Sequence, residues 1–222
     1  YEVRELGEYL NKKGDITVYA PLLAGHGTDF SSFGAYSWKE WYGSVNNAVS
    51  AVTVMSDEVY VGGVSLGGNF ALDIAKESEV TGVFAIGAPI FFKNKFSESS
   101  HVLKFILPTL PNKNLNEAEK QFYYFNRSVS AIAELMSYID NFKQNLDRID
   151  EPVLLLQSEN DQTINPQSVD YIYEHISSEK KVIKRFPTDS HIIIDQEVKK
   201  IVFQDILSFF LANERELVVQ QN

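Results

Sequence analysis

A Gly-x-Ser-x-Gly pentapeptide, Gly63 to Gly67, constrains this chain more than any other feature, because it joins a predicted strand to a predicted helix. The segment 58–64 is short, apolar and rich in β-branched residues, which indicates a buried strand. After the pentapeptide, apolar side chains at 70, 71, 74 and 75 recur with the spacing of a helix. Glycines on both sides of Ser65 permit a sharp turn that lets its hydroxyl project. The junction predicts a nucleophile elbow at Ser65.

The pentapeptide alone is weak support, because chance supplies one in about one chain in ten of this length. A serine hydroxyl is also a poor nucleophile at neutral pH, so it needs a histidine base and a carboxylate that orients the histidine. In this strand, turn and helix setting, the partners occur in the order Ser, Asp or Glu, His. The interpretation of Ser65 therefore depends on a carboxylate and a histidine located later in the chain.

The candidate acid comes after a second continuous apolar run, 152–157, which opens into a polar loop at 158–166. A loop that leaves the carboxyl end of a parallel strand faces the ligand site of the sheet. Asp161 is well placed in this loop to act as the acid. Glu159 and Asp189 are the alternatives, and each is interpreted as an exposed loop charge.

The chain has only four histidines, which narrows the choice of base. His191 comes after a third apolar run, 182–186, and lies on the next loop along the same edge of the sheet. His26 comes after a predicted strand at 16–20 but precedes Ser65, which is the wrong order, so it is interpreted as a loop-shaping residue. Two further histidines in polar, helix-like segments are interpreted as solvated surface groups: His101 and His175. His191 is therefore the candidate base.

Together, these motifs resemble the α/β-hydrolase group of small bacterial carboxylesterases and monoacylglycerol lipases. The resemblance extends from the first residues to Ala212 and is looser in the middle of the chain. It rests on these segments: 63–68, 160–166, 190–197, 19–27 and 38–41. Three motifs in the required order make it much more specific than the pentapeptide alone.

The resemblance implies a nucleophile at Ser65, a general base at His191 and an orienting acid at Asp161, with the backbone N–H of Leu66 as one oxyanion donor. It implies that short- to medium-chain acyl esters or monoacylglycerols are hydrolysed through an acyl-enzyme, with no cofactor and no metal. A thioesterase, a hydroxycinnamoyl esterase and a catalytically impaired homologue that acts as a binding protein remain alternatives.

The chain departs from the group's pattern at its beginning. In the group, a strand that ends in a His-Gly-aromatic loop precedes the first helix, and the loop supplies a second oxyanion N–H. Here residues 1–11 already have the pattern of that helix, with Gly14 past its end. By analogy, the strand would lie between the segments 15–20 and 58–64. We therefore expect an N-terminally incomplete sheet and an incomplete oxyanion hole.

The fold class predicted is α/β, an α/β-hydrolase-type mostly parallel sheet with helices on both faces and a small helical cap. The core is expected at 1–90 and 148–222. The cap or lid is expected at 91–147, with helices near 100–107, 117–126 and 128–147. Its aromatic side chains suggest an apolar acyl pocket: Phe91, Phe92, Phe96, Phe105, Phe122, Tyr123, Tyr124 and Phe125.

Composition limits the partners. A formal charge of −10 disfavours nucleic acid and anionic membrane surfaces, both of which attract clustered Lys and Arg. No apolar run approaches the ~20 residues of a bilayer span, so no stable membrane insertion is expected. The absence of cysteine excludes disulfides and a cysteine nucleophile, and the separated histidines show no metal-ligand spacing. The expected partner is a small-molecule acyl ester, the expected location is cytoplasmic, and a homodimer is left open.

Overall fold

A computed structural model describes residues 2–93, 109–111 and 126–220. Its main sheet has four strands in the order β1-β2-β5-β6, and every neighbouring pair is parallel. A separate antiparallel pair, β3 with β4, was not predicted from the sequence. The strands are β1 (Tyr60–Val64), β2 (Gly82–Ile86), β3 (Thr109–Pro111), β4 (Asn126–Ser128), β5 (Val153–Ser158) and β6 (Lys181–Phe186).

Helices precede, connect and succeed the strands of the sheet. They are α1 (Arg4–Gly14), α2 (Phe30–Phe33), α3 (Trp38–Thr53), α4 (Leu66–Ala75), α5 (Val129–Phe142), α6 (Gln167–His175) and α7 (Lys199–Gln220). Short 3₁₀ turns cover Lys143–Arg148 and Ile193–Asp195.

The central strands bury both of their faces, as expected of a parallel sheet covered by helices. Successive residues of β2 and β5 alternate between two apolar clusters. One cluster contains Val83 and Leu155 together with side chains of α3, α4, α5 and α6. The other contains Phe84 and Leu154 together with side chains of α1 and α7. The predicted α/β-hydrolase-type sheet with helices on both faces is confirmed.

The predicted strand at 16–20 is wrong, because this segment has no strand assignment. Its backbone is tied instead to α1, where Asn11 Nδ2 donates to Ile16 O at 3.2 Å, and Tyr19 is 63% exposed. A strand needs a hydrogen-bonded neighbour, and β1 pairs only with β2 within the part of the chain that the structure describes. An apolar, β-branched pattern alone could not supply that neighbour.

The first helix forms, but as α1 at 4–14 rather than at 1–11. Asp15, with φ 54° and ψ 32°, has the left-handed conformation that the sequence suggested for Gly14. Gly14 stays helical, and a Cβ there would lie 2.6 Å from Leu207 Cδ1. The glycine therefore gives the Leu207 side chain of α7 room against α1 and does not stop the helix.

The predicted cap is described only in part. Its third helix is present as α5 and the 3₁₀ turn after it, and Ile139, Phe142 and Leu146 of its apolar stripe belong to the same cluster as α3 and α4. The predicted helix at 100–107 lies outside the described residues, as does 117–125 of the second, and Asn126 begins β4. The cap boundaries at 91–147 stay a prediction.

Candidate active site

The pentapeptide forms a tight turn between β1 and α4. Ser65 has φ 54° and ψ −123°, a conformation that side-chain-bearing residues rarely adopt. Its N–H donates to Ile86 O of β2 at 2.7 Å, while its carbonyl accepts from Gly68 N at 2.9 Å and Asn69 N at 3.2 Å. The backbone bonds on both sides of the turn therefore hold Ser65 in this strained conformation.

Close packing around the turn explains its glycines. A Cβ at Gly63 would lie 2.4 Å from the carbonyl carbon of Gly67, and one at Gly68 would lie 3.2 Å from Gly63 O. A Cβ at Gly67 would meet no described atom within 4 Å, so this glycine leaves open space beside Ser65. The turn is therefore tightly packed at Gly63 and Gly68 and open at Gly67.

Asp161 and His191 are joined directly. His191 Nδ1 lies 2.7 Å from Asp161 Oδ2, while Oδ1 accepts from the backbone N–H groups of Thr163 at 2.8 Å and Ile164 at 2.9 Å. Asp161 is fully buried. Burial alone raises the pKa of a carboxyl, but the hydrogen bond and charge of His191 and the two N–H groups outweigh it and lower the pKa of Asp161. The carboxylate is therefore held ionised and aimed at the imidazole.

Sequence reasoning missed Gln157, which also contacts the acid. Its Nε2 donates to Asp161 Oδ2 at 3.2 Å and to Ser158 O at 3.1 Å, and the side chain is fully buried. The signal that could have found it is a polar residue at the end of the apolar run 152–157.

His191 stands over the carboxyl end of β2. Gly87, directly after β2 and with φ 57°, has no Cβ, and one built there would lie 3.1 Å from His191 Cε1. The residue before it, Ile86, accepts the N–H of Ser65. Ser65 and His191 are therefore brought to neighbouring residues of the same strand end.

The second ring nitrogen of His191 is unused. Nε2 is buried and makes no hydrogen bond with any residue that the structure describes, including Ser65. Catalytic hydrogen bonds are often long in unliganded enzymes and tighten when substrate binds. With Nδ1 directed at the carboxylate, Nε2 is the nitrogen left to exchange a proton.

The alternative acids and bases lie elsewhere. Glu159 and Asp189 are exposed. His175 is exposed and stacks on Tyr171, with ring centroids 4.0 Å apart. His26 packs edge-on against Phe33 and Trp41, and burial lowers its pKa, which suits a loop-shaping role. The fourth histidine, His101, lies outside the described residues.

Leu66 is the first residue of α4 and comes directly after Ser65. The first N–H groups of an α-helix have no intrahelical acceptor, and the helix dipole is positive at this end. The N–H of Leu66 is therefore of the type that can stabilise negative charge beside Ser65.

Two of the predicted pocket aromatics are described. Phe91 N donates to Ser168 Oγ at 2.9 Å, and the Phe91 ring packs edge-on against Tyr171. Phe92 forms an isolated bridge with Ile164 of the acid loop. These contacts connect the segment after β2 to the loop that carries Asp161. The remaining six lie outside the described residues: Phe96, Phe105, Phe122, Tyr123, Tyr124 and Phe125.

The described ranges contain neither a candidate metal site nor a candidate membrane-spanning helix. Across 2–93, 109–111 and 126–220, no three His, Asp or Glu side chains are grouped in a way that could hold a metal ion. Over the same residues, no helix has the length and apolarity needed to cross a bilayer.

The chain is similar in sequence to proteins of named activity. The family model described as serine aminopeptidase, S33, matches residues 111–198. A carboxylesterase of Bacillus subtilis (strain 168) is 26% identical over 215 residues, which cover 94% of this chain and 86% of the relative. A thermostable monoacylglycerol lipase of Bacillus sp. (strain H-257) is 25% identical over 213 residues, which cover 95% and 85%.

Solved structures share the fold. A structure reported for LipS and LipT, two metagenome-derived lipolytic enzymes, superposes with a TM-score of 0.87 at 23% identity, covering 95% of this chain and 88% of that chain. The monoacylglycerol lipase of Paleococcus ferrophilus gives 0.79 at 21% identity, covering 95% and 89%. The chain belongs to the α/β-hydrolase superfamily. Within it, the chain is similar to bacterial carboxylesterases and monoacylglycerol lipases.

Proposed function

We propose that this chain is a serine hydrolase of carboxylic esters, with short- to medium-chain acyl esters or monoacylglycerols as substrates. The observation that carries the proposal is the hydrogen bond between buried Asp161 and partly buried His191, whose Nε2 is unpaired among the described residues beside the strand end that anchors the Ser65 turn. A carboxylate, an imidazole and a serine hydroxyl are the parts of a catalytic triad.

In the proposed acylation, His191 Nε2 takes the hydroxyl proton as Ser65 Oγ bonds to the ester carbonyl carbon. The carbonyl π electrons move to oxygen, and the N–H of Leu66 stabilises the resulting oxyanion. Asp161 holds the ring with Nδ1 protonated and stabilises the imidazolium. Collapse of the intermediate breaks the bond to the alcohol oxygen, which takes the proton from His191.

In the proposed deacylation, water takes the place of the alcohol. The water oxygen attacks the acyl-Ser65 carbonyl carbon while His191 Nε2 accepts a proton from the water. Collapse breaks the bond to Ser65 Oγ, which regains its proton from His191, and the carboxylic acid leaves. The cycle needs no cofactor, because every proton is moved by the imidazole.

The names of the relatives support the substrate class. Two relatives that cover most of this chain are named a carboxylesterase and a monoacylglycerol lipase, which favours ester hydrolysis in general. The matching family model is named for an aminopeptidase, which acts on an amide bond. The same triad can serve esters, thioesters and amides, so the preference among them must be measured.

The test combines an active-site label with a substrate panel. We expect a fluorophosphonate to label Ser65, and p-nitrophenyl acyl esters and monoacylglycerols to be hydrolysed faster than acyl-CoA thioesters, hydroxycinnamoyl esters or aminoacyl arylamides. Ser65→Ala should abolish labelling and lower kcat by at least about 10⁴-fold. Ser56→Ala is the matched control, because Ser56 Oγ donates to Glu58 O at the amino end of β1.

Each negative result has its own meaning. If folded protein is neither labelled nor active on any ester, the serine hydrolase proposal fails and the binding-protein alternative gains support. If labelling is normal but thioesters or arylamides are strongly preferred, the mechanism stands and the ester assignment is wrong.

A further inference from the structure

A buried glutamine occupies a position where packing favours an apolar side chain. Gln157 lies on β5 with no exposed surface, and it comes after four consecutive buried apolar residues, 153–156. A buried amide is retained only where its hydrogen bonds compensate for lost hydration. The contacts of Gln157 therefore require an explanation.

The orientation of the amide is set by its two neighbours. Nε2 lies within hydrogen-bond distance of Ser158 O and Asp161 Oδ2, and both of these atoms are acceptors. A flipped amide would place its own carbonyl oxygen against them, which is repulsive. In the observed orientation, Oε1 is buried and has no partner among the residues that the structure describes. The chain thus tolerates one unsatisfied oxygen while the NH₂ group is directed at the acid and at Ser158 O.

The acceptor of Gln157 is the carboxylate oxygen that also holds the imidazole. Asp161 Oδ2 receives His191 Nδ1 at 2.7 Å and Gln157 Nε2 at 3.2 Å, while the backbone N–H groups of Thr163 and Ile164 hold Oδ1. Gln157 is the one side chain besides His191 seen to donate to this carboxylate in the described residues. Its bond restricts where Oδ2 can lie.

We infer that Gln157 is a positioning residue, which fixes Asp161 Oδ2 so that His191 keeps Nδ1 protonated and Nε2 free. The inference rests on the proposed function, because it assigns Gln157 to the same triad. Gln157 acts through Asp161 and touches no reacting atom.

The test replaces the amide with a side chain of similar length that cannot donate. Gln157→Met should lower kcat about tenfold, the effect expected for losing one hydrogen bond to a charged group, with KM within about twofold of wild type. The melting temperature should change little, because removal of the unsatisfied Oε1 offsets the loss of the two hydrogen bonds of Nε2. The ring ¹⁵N shifts of His191 should move from a single Nδ1–H tautomer towards a mixture.

Gln162→Met is the matched control. Gln162 is an exposed glutamine of the loop that carries Asp161, and its amide donates to Asn160 O rather than to the acid. This variant should keep the kcat, the KM and the His191 shifts of wild type.

The ¹⁵N shifts keep the two proposals apart. If wild type hydrolyses no ester and binds no fluorophosphonate, the proposed function fails, and the shifts still report whether Gln157 sets the tautomer. Wild-type shifts together with wild-type kcat in Gln157→Met would overturn the inference. So would a kcat that falls only in step with the folded fraction while the shifts stay unchanged.

Discussion

Two largely buried carboxylates, Asp161 and Asp73, are held by different hydrogen-bond networks, and only the Asp161 network leaves a ring nitrogen unpaired among the described residues. Asp161 lies at the carboxyl edge of the sheet and is held by His191, Gln157 and two backbone N–H groups. Asp73 lies near the carboxyl end of α4, about 12 Å along the helix from Ser65 at 1.5 Å per residue. Ser65 and Asp73 therefore lie at opposite ends of α4.

The Asp73 network is closed. Asp73 contacts Lys76 Nζ at 2.9 Å and accepts from Tyr138 OH at 3.2 Å. Lys76 also donates to Phe142 O at 3.2 Å and lies 4.5 Å from the centre of that ring. Burial, and after it the charge of Asp73, raises the pKa of Tyr138 well above its usual range, so it stays a neutral donor. Asp73 and Lys76 border a cleft of about 290 Å³ that residues of α3 and α5 also line.

The difference separates a structural network from a reactive one. Lys76 directs its charge to a carboxylate, a carbonyl and a ring, so α4 is fixed to α5 and little is left for a ligand. His191 directs one nitrogen to Asp161 and leaves the other buried and unpaired among the described residues. An unpaired buried polar atom is unfavourable for stability, so each one requires an explanation, and a reactive role is one such explanation.

Replacing Asp161 with Asn should have the largest effect on this comparison. The two backbone N–H groups at Oδ1 would hold the carboxamide oxygen, which places its NH₂ against His191 Nδ1–H. The ring would then have to adopt the other tautomer, with Nε2 protonated and unable to act as a base. We expect kcat for ester hydrolysis to fall about 10⁴-fold, measured with p-nitrophenyl esters near neutral pH.

The same variant tests the lowered pKa of Asp161. Because the pKa is lower in the folded chain than in the unfolded chain, the carboxylate stabilises the fold above the ordinary carboxyl pKa of about 4. This contribution disappears as the pH falls through the lowered value. Acid unfolding of Asp161→Asn should therefore be less pH-dependent in that window than unfolding of wild type. If Asp161→Asn and wild type lose stability equally as the pH falls, the pKa of Asp161 is not lowered in the folded chain.

Lys76→Met should affect stability and leave the chemistry intact. The Lys76 side chain is 4% exposed and that of Asp73 is 16% exposed, so removing the cation leaves a largely buried carboxylate with no opposite charge beside it. We expect the free energy of unfolding to fall by about 2–4 kcal/mol in urea titrations. Activity per folded molecule should stay within about twofold of wild type, because Lys76 is remote from the turn.

Lys39→Met controls for the loss of charge. Lys39 borders the same cleft, but it is exposed and lies 5.7 Å from the Trp38 ring centre. Its loss should change stability by no more than about 0.5 kcal/mol. A Lys76→Met variant as stable as Lys39→Met, or one with strongly reduced kcat, would remove the distinction between the two networks.

The two networks were not equally predictable from the sequence, for physical reasons. Ser65, Asp161 and His191 could be proposed because each comes after an apolar strand-like run and because the chemistry requires their order. The pairing of Asp73 with Tyr138 could not, since these residues lie on separate helices whose docking is a tertiary property. The segment 16–20 was misassigned for the same reason, because strand formation depends on a neighbour and not on composition.

Gly87→Ala tests how closely the imidazole is fitted to the sheet edge. A Cβ would lie 3.1 Å from His191 Cε1 and 3.2 Å from Nδ1, at a residue with φ 57°. We expect a stability loss of about 1–2 kcal/mol from the backbone conformation, and a further fall in kcat of about tenfold as the ring is displaced. Steady-state kinetics and thermal unfolding measure the two effects separately.

Gly27→Ala is the control, because it introduces similar backbone strain without crowding a neighbouring side chain. Gly27 has φ 73°, and its added Cβ would lie 3.6 Å from Leu22 Cδ2, an ordinary van der Waals distance. It should lose stability to a similar extent and keep the wild-type kcat. If both alanine variants lose kcat equally, the effect at Gly87 comes from general destabilisation and not from the His191 ring.

Ser65→Gly should have the smallest effect on stability among these substitutions, and it should raise stability relative to Ser65→Ala rather than lower it. α4 is preceded by Ser65, with φ 54° and ψ −123°, and followed by Lys76, with φ −71° and ψ −20°, so backbone strain is present only at the reactive end of the helix. Glycine adopts the first conformation freely, which offsets its greater entropy in the unfolded chain. We expect the free energy of unfolding of Ser65→Gly to be about 1 kcal/mol higher than that of Ser65→Ala, although both variants are expected to be inactive.

Asp15→Gly is the control, because Asp15 has an ordinary left-handed conformation at a helix end. This substitution should raise the free energy of unfolding by less than Ser65→Gly does. A Ser65→Gly variant no more stable than Ser65→Ala would mean that the turn stores no strain, and that the two ends of α4 differ only in their polar groups.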